Sequence, residues 1–185
     1  MSKDDIDSDG FRSNVGIIVC NPDRFLLLAS RRRNRGWQFP QGGVHYNETP
    51  QEAMYRELNE EIGLEANNVK ILAETSDWVK YRLPEQYIRK DSKRYCIGQK
   101  QKWYLLDLIS DESEISLEQA NDPEFDHWKW VSYWYPVSKV IFFKRQVYNS
   151  VLLEFRSVLF EKEVPSRPKW WPKHWQEDCE RIKET

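Results

Sequence analysis

The chain has 185 residues, 39% of them hydrophobic and 14% aromatic, enough to bury one good core, so one domain with trimmings is expected. Its 28 basic and 30 acidic residues leave a net charge of -2; bulk charge therefore advertises neither a nucleic-acid nor a membrane partner, and any site for a polyanion has to be a local patch. Cys20, Cys96 and Cys179 are odd in number and far apart, MSKDDIDSDG lacks the charge and apolar pattern of a signal peptide, and no long apolar run occurs, which together predict a cytoplasmic protein without a disulfide framework.

In chain order, residues 1–10 are acidic and polar and read as a frayed, disordered tail ahead of a domain spanning 11–161. VGIIVC (15–20) and FLLLAS (25–30) are apolar runs separated by the turn formers of NPDR, hence a strand pair. RRRNRGWQFPQGG reads as loop. Thr49, Pro50 and Glu52 form a capping-box signature with proline at the first helical position, so a helix is predicted from about 50 to 62, closed by Gly63 in the left-handed conformation. NVKILAETSDWVKYRLP and GQKQKWYLLDLIS read as longer strands joined by a polar stretch around 85–97, and HWKWVSYWYPV as a further β segment. Val147, Val151, Leu152, Phe155, Val158 and Leu159 recur at helical spacing, marking an amphipathic helix over roughly 143–161. This order predicts an α/β fold in which helices cover a mixed sheet. Residues 162–185 form a Trp- and Pro-rich extension whose three tryptophans are expected to pack on the domain surface; a partner-binding or oligomer arm is the alternative.

On a helix over 50–62, Glu57, Glu60 and Glu61 lie within an arc of about 100° while Met54, Leu58 and Ile62 take the next sector. Like charges at this spacing each cost a helix about 0.2–0.5 kcal/mol, more beside a core. A solvated acidic face is the bland account. The chemical one is a bound cation: oxygen ligands on a rigid element select hard divalent ions such as Mg²⁺ or Mn²⁺, which work with carboxylates and substrate phosphates.

A family resemblance favours the second. Gly42, five residues, Glu48, seven residues, then Arg56-Glu57-Leu58-Asn59-Glu60-Glu61-Ile62-Gly63-Leu64 fits the Nudix box G-x5-E-x7-R-E-U-x-E-E-x-G-U, U being apolar, at every fixed position. The chain thus resembles the Nudix hydrolases, which implies an α/β/α sandwich with a mixed sheet and divalent-metal-dependent hydrolysis of phosphoanhydride bonds. The resemblance implies metal ligands at Glu57, Glu60 and Glu61, with help from the Gly42 carbonyl, and structural roles for Glu48 and Arg56 through an ion pair. Either Glu57 or Glu61 would ligate metal or accept the proton of the attacking water. The family also draws a general base from outside the box, for which Glu124 in NDPEFDHWKW is the candidate, as catalytic group and further ligand.

Beyond the box, DGFRSNVGIIVCN, WQFPQGG, CIGQKQKWYLL, PEFDHWKWVSYWYPV and FKRQVY resemble the bacterial branch of the family that converts 5′-triphosphorylated RNA to 5′-monophosphorylated RNA and so promotes mRNA decay. That resemblance covers about residues 8–158 and departs in RRRNRG, around 85–95 and after 160. It implies RNA single-stranded at its 5′ end as partner. The alternatives are a dinucleoside polyphosphate hydrolase, acting for instance on diadenosine tetraphosphate, and a catalytically silent RNA-binding module; an activating protein partner is also possible. A triphosphate end calls for cations outside the box, and Arg12, Arg31, Lys100, Lys102 and Lys144 sit in the matched segments. Phe143 and Arg31 are the pair expected to grip a base, with Tyr81 a further candidate. Gln99 and Gln101 alternate with Lys100 and Lys102 along one strand, so only one of the two pairs can face substrate. Trp103, Trp128, Trp130 and Trp134 are assigned to the fold, and His45 to the surface. The histidines and cysteines lack the partner spacing of a zinc site or an activated nucleophile.

Overall fold

A computed structural model describes residues 6–32, 36–88, 96–118, 123–163, 165–169 and 171–172. Its centre is a parallel pair, β1 (Phe11–Cys20) against β7 (Gly98–Leu108), in register from Phe11 opposite Gly98 to Cys20 opposite Asp107. Strands buried on both faces read as continuous apolar runs, which is why VGIIVC and WYLL show no alternation. Antiparallel neighbours complete a mixed sheet. Beside β1 lie β2 (Leu26–Arg31) and the short β4 (Gln41–Gly43); beside β2, β3 (Trp37–Gln38) and β8 (Phe125–Val131); beside β7, β5 (Val69–Glu74) and β6 (Val79–Arg82).

Each sheet face carries its own core. Val15, Ile17, Val19, Tyr104 and Leu106 pack under α1 (Pro50–Ile62) through Ala53, Met54, Leu58 and Ile62. Ile18, Cys20, Trp103 and Leu105 pack under α3 (Arg145–Leu159) through Val147, Val151, Leu152, Phe155 and Leu159. The result is an α/β/α sandwich, in which each fully buried Leu, Ile or Met contributes about 1.5–3 kcal/mol. Gly16 is required by this packing, since a Cβ there would stand 2.4 Å from the Trp103 ring.

The helix α1 has the predicted bounds because its ends are chemically closed. Thr49 accepts the Glu52 N–H at 3.2 Å, Glu52 accepts the Thr49 N–H at 2.8 Å, and Gly63, at φ 73, donates to the Asn59 carbonyl at 3.0 Å. Elsewhere the boundaries differ from the sequence reading. The segment expected as loop before residue 44 contains β3 and β4. The β segment expected to reach Val137 stops at Val131 and is followed by α2 (Tyr135–Lys139), because Pro136 cannot donate to a ladder yet suits a first helical turn. The long strand expected over 68–84 breaks into β5 and β6 where the Thr75 hydroxyl accepts the Trp103 N–H at 3.1 Å. Val158 lies 42% exposed on the last turn of α3 and leaves the apolar stripe.

Both ends of the described chain are tied down. Residues 1–5 of the expected tail lie outside the described residues, whereas Ile6 bridges Arg12 and the Asp7 carboxylate accepts the Phe11 N–H at 2.9 Å. Of the tail tryptophans, Trp171 is buried against Trp134 with ring centroids 5.5 Å apart, and Trp134 Nε1 donates to the Pro165 carbonyl at 2.9 Å. Trp170 and Trp175 lie outside the described residues.

Candidate active site

The site forms where α1 meets β4. Gly42 belongs there for a steric reason: a Cβ at this position would lie 1.8 Å from Glu57 Cδ, so the bare backbone is a cradle for that carboxylate. One turn on, Glu61 Oε2 accepts the Gln41 N–H at 2.7 Å. Burial raises the Glu61 carboxyl well above the ordinary carboxylate range, and the neighbouring charges of Glu124 and Glu57 push the same way. Burial also raises Glu57, against the pull of Arg56. Glu124, on the approach to β8, is thus a charged neighbour of the buried Glu61.

Arg56 is the internal counter-ion. Its Nε and Nη2 meet the two Glu48 oxygens at 2.8 and 2.9 Å, and Nη2 also donates to the Gly43 carbonyl at 2.7 Å. Glu48 accepts in addition the His45 N–H at 2.9 Å, so this pair knits the β4 loop to α1. The remaining Arg56 nitrogen, Nη1, touches Glu57 at 2.5 Å and the more exposed Glu60 at 3.3 Å. Among the described residues, no three acidic, His or Cys side chains are arranged to hold a metal ion as they stand, and the Arg56 guanidinium lies between Glu57 and Glu60. The donor set itself, carboxylates around a carbonyl-bearing glycine with mutual repulsion at a buried Glu61, suits a hard divalent cation.

Strand parity sorts the substrate candidates. Arg12, Asn14, Gln99 and Gln101 occupy the α3-side face, because Arg12 pairs with Gln99 and Asn14 with Gln101 next to the Gly16–Trp103 pair. The Arg12 guanidinium lies against Gly43, where an added Cβ would meet Nη2 at 2.4 Å. Tyr81 donates to Gln99 Oε1 at 2.6 Å and stacks on Phe143 with ring centroids 6.0 Å apart. Lys144, only 8% exposed, donates to Gln41 Oε1 at 3.0 Å. Burial, then the nearby Arg31 charge, bring its ammonium down to about 8 against the opposing pull of Glu124 and Glu61. Arg31 Nε stands 2.9 Å from Glu124 Oε1.

Lys100 and Lys102 are not brought to this cluster. They point off the opposite face, where Lys100 pairs with Asp7 at 3.0 Å and Lys102 is bound by the Thr75 carbonyl, by the Ser76 carbonyl at 3.2 Å and by Glu74. Each has counter-charges supplied by its own surroundings. Gln41, by contrast, is a hub that charge-based reasoning passed over: its N–H holds Glu61 and its amide oxygen holds Lys144, with Gln101 Nε2 at 3.5 Å. Its signals in the sequence are its place beside Gly42 and within the matched segment WQFPQGG. The buried Gln101 Nε2 donates to Asn14 Oδ1 at 2.6 Å, making the floor beneath it polar.

This architecture recurs in proteins of known structure: that of the E. coli dihydroneopterin triphosphate pyrophosphohydrolase aligns with a TM-score of 0.58 over 77% of this chain and 95% of that one, at 17% identity. Much closer in sequence are two proteins named RNA pyrophosphohydrolase. The one from Shewanella sediminis is 59% identical over 81% of this chain and 87% of its own. The one from Yersinia pestis is 50% identical over 89% of this chain and 94% of its own. The NUDIX domain model matches residues 10–151, a span that encloses every residue of the cluster from Arg12 to Lys144. The chain belongs to the Nudix family.

Proposed function

We propose that this protein is an RNA 5′-pyrophosphohydrolase that attacks the 5′-triphosphate of single-stranded RNA ends with water, breaking the α–β phosphoanhydride bond to leave a 5′-monophosphate and pyrophosphate. What carries the reading is identity of 50–59%, over most of both chains, to proteins named for that activity. The site chemistry supports it, because Gln41 joins the Glu61 carboxylate of α1 to Lys144 on the α3 side, and Lys144 lies beside the stacked rings of Tyr81 and Phe143.

Nudix hydrolases generally need a divalent metal. Here Glu57, Glu60, Glu61 and Glu124 with the Gly42 carbonyl would hold it, and Mg²⁺, or Mn²⁺ in its place, suits an all-oxygen set shared with phosphates. Bound metal supplies charge neutralisation and a lowered pKa for water. The protein's own groups do the rest. Glu124, beside Arg31, is the acceptor for the water proton, with Glu57 and Glu61 as rival acceptors. Arg12 and Lys144 meet phosphate charge from the α3 side, Gln99 holds Tyr81, and Phe143 with Arg31 offers a base two planar surfaces. Glu48, Arg56 and Gly63 keep loop and helix in place.

The test supplies purified protein and Mg²⁺ with equal amounts of 5′-triphosphate RNA and diadenosine tetraphosphate and compares initial rates and products. Faster conversion of the RNA to its monophosphate is expected. Faster cleavage of the dinucleotide overturns the RNA reading and leaves a dinucleoside polyphosphate hydrolase. Near-normal turnover by both Glu57→Gln and Glu61→Gln variants would overturn the assignment of the carboxylates.

A further inference from the structure

The ring of Phe143 does not end the aromatic surface beside Lys144. Tyr87, in the single turn Glu85–Tyr87, tilts against Phe143 with centroids 5.0 Å apart, and Phe142 meets it edge-on at 5.4 Å. Phe143 also stacks on Tyr81, whose ring lies 6.0 Å from the Lys144 ammonium. A contiguous track therefore runs from the carboxylates through Gln41, Lys144, Tyr81 and Phe143 to two rings that face water. Tyr87 is 43% and Phe142 56% exposed, so they contribute little to the core for the apolar area they display.

We infer that Tyr87 and Phe142 form a stacking platform for nucleotides downstream of the 5′ end of the RNA, lengthening the stretch of substrate that this protein reads. The inference rests on the RNA reading above. Two observations favour a nucleic-acid strand as the occupant: the platform is continuous with the site where the 5′ phosphates would lie, and its rings are separate, differently inclined planes rather than one flat apolar face. Bases of a single strand can each take one such plane, since every base has a π-face whatever its identity. The platform would thus add affinity without demanding sequence, and its contribution grows with RNA length until the rings are filled.

The experiment compares wild type with the Tyr87→Ala/Phe142→Ala double variant on a 5′-triphosphorylated dinucleotide and on a 5′-triphosphorylated single-stranded 8-mer. For the 8-mer, KM is expected to rise about tenfold, on the order of the loss of one base stack, while kcat holds. For the dinucleotide, both constants are expected to stay within about twofold. A Tyr87→Trp/Phe142→Trp variant should restore the 8-mer KM and a Tyr87→Leu/Phe142→Leu variant should not, which separates stacking from lost apolar area. Equal changes on both substrates, or an unchanged 8-mer KM, overturn the platform and assign these rings to another partner such as a protein. Absence of RNA hydrolysis by the wild type would instead sink the reading on which the platform rests, so the two failures are distinct.

Discussion

Arg31 Nε stands 2.9 Å from Glu124 Oε1, so the cation expected to grip a base is also the partner of the expected proton acceptor. The contact is an ion pair rather than an aligned hydrogen bond, and both side chains are more than a third exposed, which leaves it weak and exchangeable. Arg31 can therefore leave Glu124 for a base at small cost. Glu124→Gln is expected to lower kcat by about 10²–10⁴-fold, the range of a lost general base, with little change in melting temperature. Arg31→Ala is expected to act mainly on KM for RNA. Steady-state kinetics on both variants checks the division; an unchanged kcat in Glu124→Gln would return the role of proton acceptor to Glu57 or Glu61.

How much of this was legible beforehand follows from the range of the interactions. The α1 bounds were readable because Thr49, Glu52 and Gly63 act on their own helix within a few residues. The Glu48–Arg56 pair was readable because the resemblance to the Nudix box implies it. Lys100 and Lys102 were misplaced because which face of a strand meets substrate depends on partners far away, here Asp7 and Thr75, that no local pattern names. Gln41 escaped for the opposite reason. An uncharged side chain gains its role only once folding puts Glu61 on its backbone and Lys144 on its amide.

The Glu48–Arg56 pair makes stability depend on pH in a definite direction. Hydrogen bonding from Arg56 holds the Glu48 carboxyl below the ordinary value of 4.5, with the His45 N–H assisting. A depressed carboxylate contributes stability that is full above the unfolded value and is lost as pH falls through the folded one. Glu48→Gln should cost about 2 kcal/mol at neutral pH, as expected for a charge-assisted, largely buried contact, and the difference from wild type should shrink below about pH 4.5. Urea denaturation of the two proteins at neutral and acidic pH measures it. A difference that persists at low pH would mean the loss is one of packing and not of charge.

Cys20 should be chemically silent in the folded protein. Burial in the α3-side core, reinforced by the Asp107 charge, pushes its thiol up to about 12. At about pH 8 almost none of it is thiolate, and the thiolate is the reactive form. Iodoacetamide followed by peptide mapping is expected to leave Cys20 unmodified in the native state and to label it in urea. Native labelling at Cys20 would reveal local opening of the strand pair at β1 and β2.

Gly42→Ala tests whether position, as distinct from presence, of the Glu57 carboxylate matters. The new Cβ would fall 1.8 Å from Glu57 Cδ, and the atom in its way is the end of a flexible side chain, so the carboxylate can swing aside while the fold stays intact. Stability should accordingly change by less than about 1 kcal/mol, the range of a tolerated small substitution. Activity should not survive as well, because Glu57 then leaves the cradle beside Glu61 and Arg56. A fall in kcat of about 100-fold is expected, of the size that a misplaced group can cause. Chelation by EDTA should abolish wild-type turnover and added Mg²⁺ should restore it, whereas in Gly42→Ala restoration should demand a higher Mg²⁺ concentration. Titration of rate against Mg²⁺ for the two proteins reads this directly: a displaced curve places Glu57 among the metal ligands, and coincident curves with a lowered plateau place it at the water.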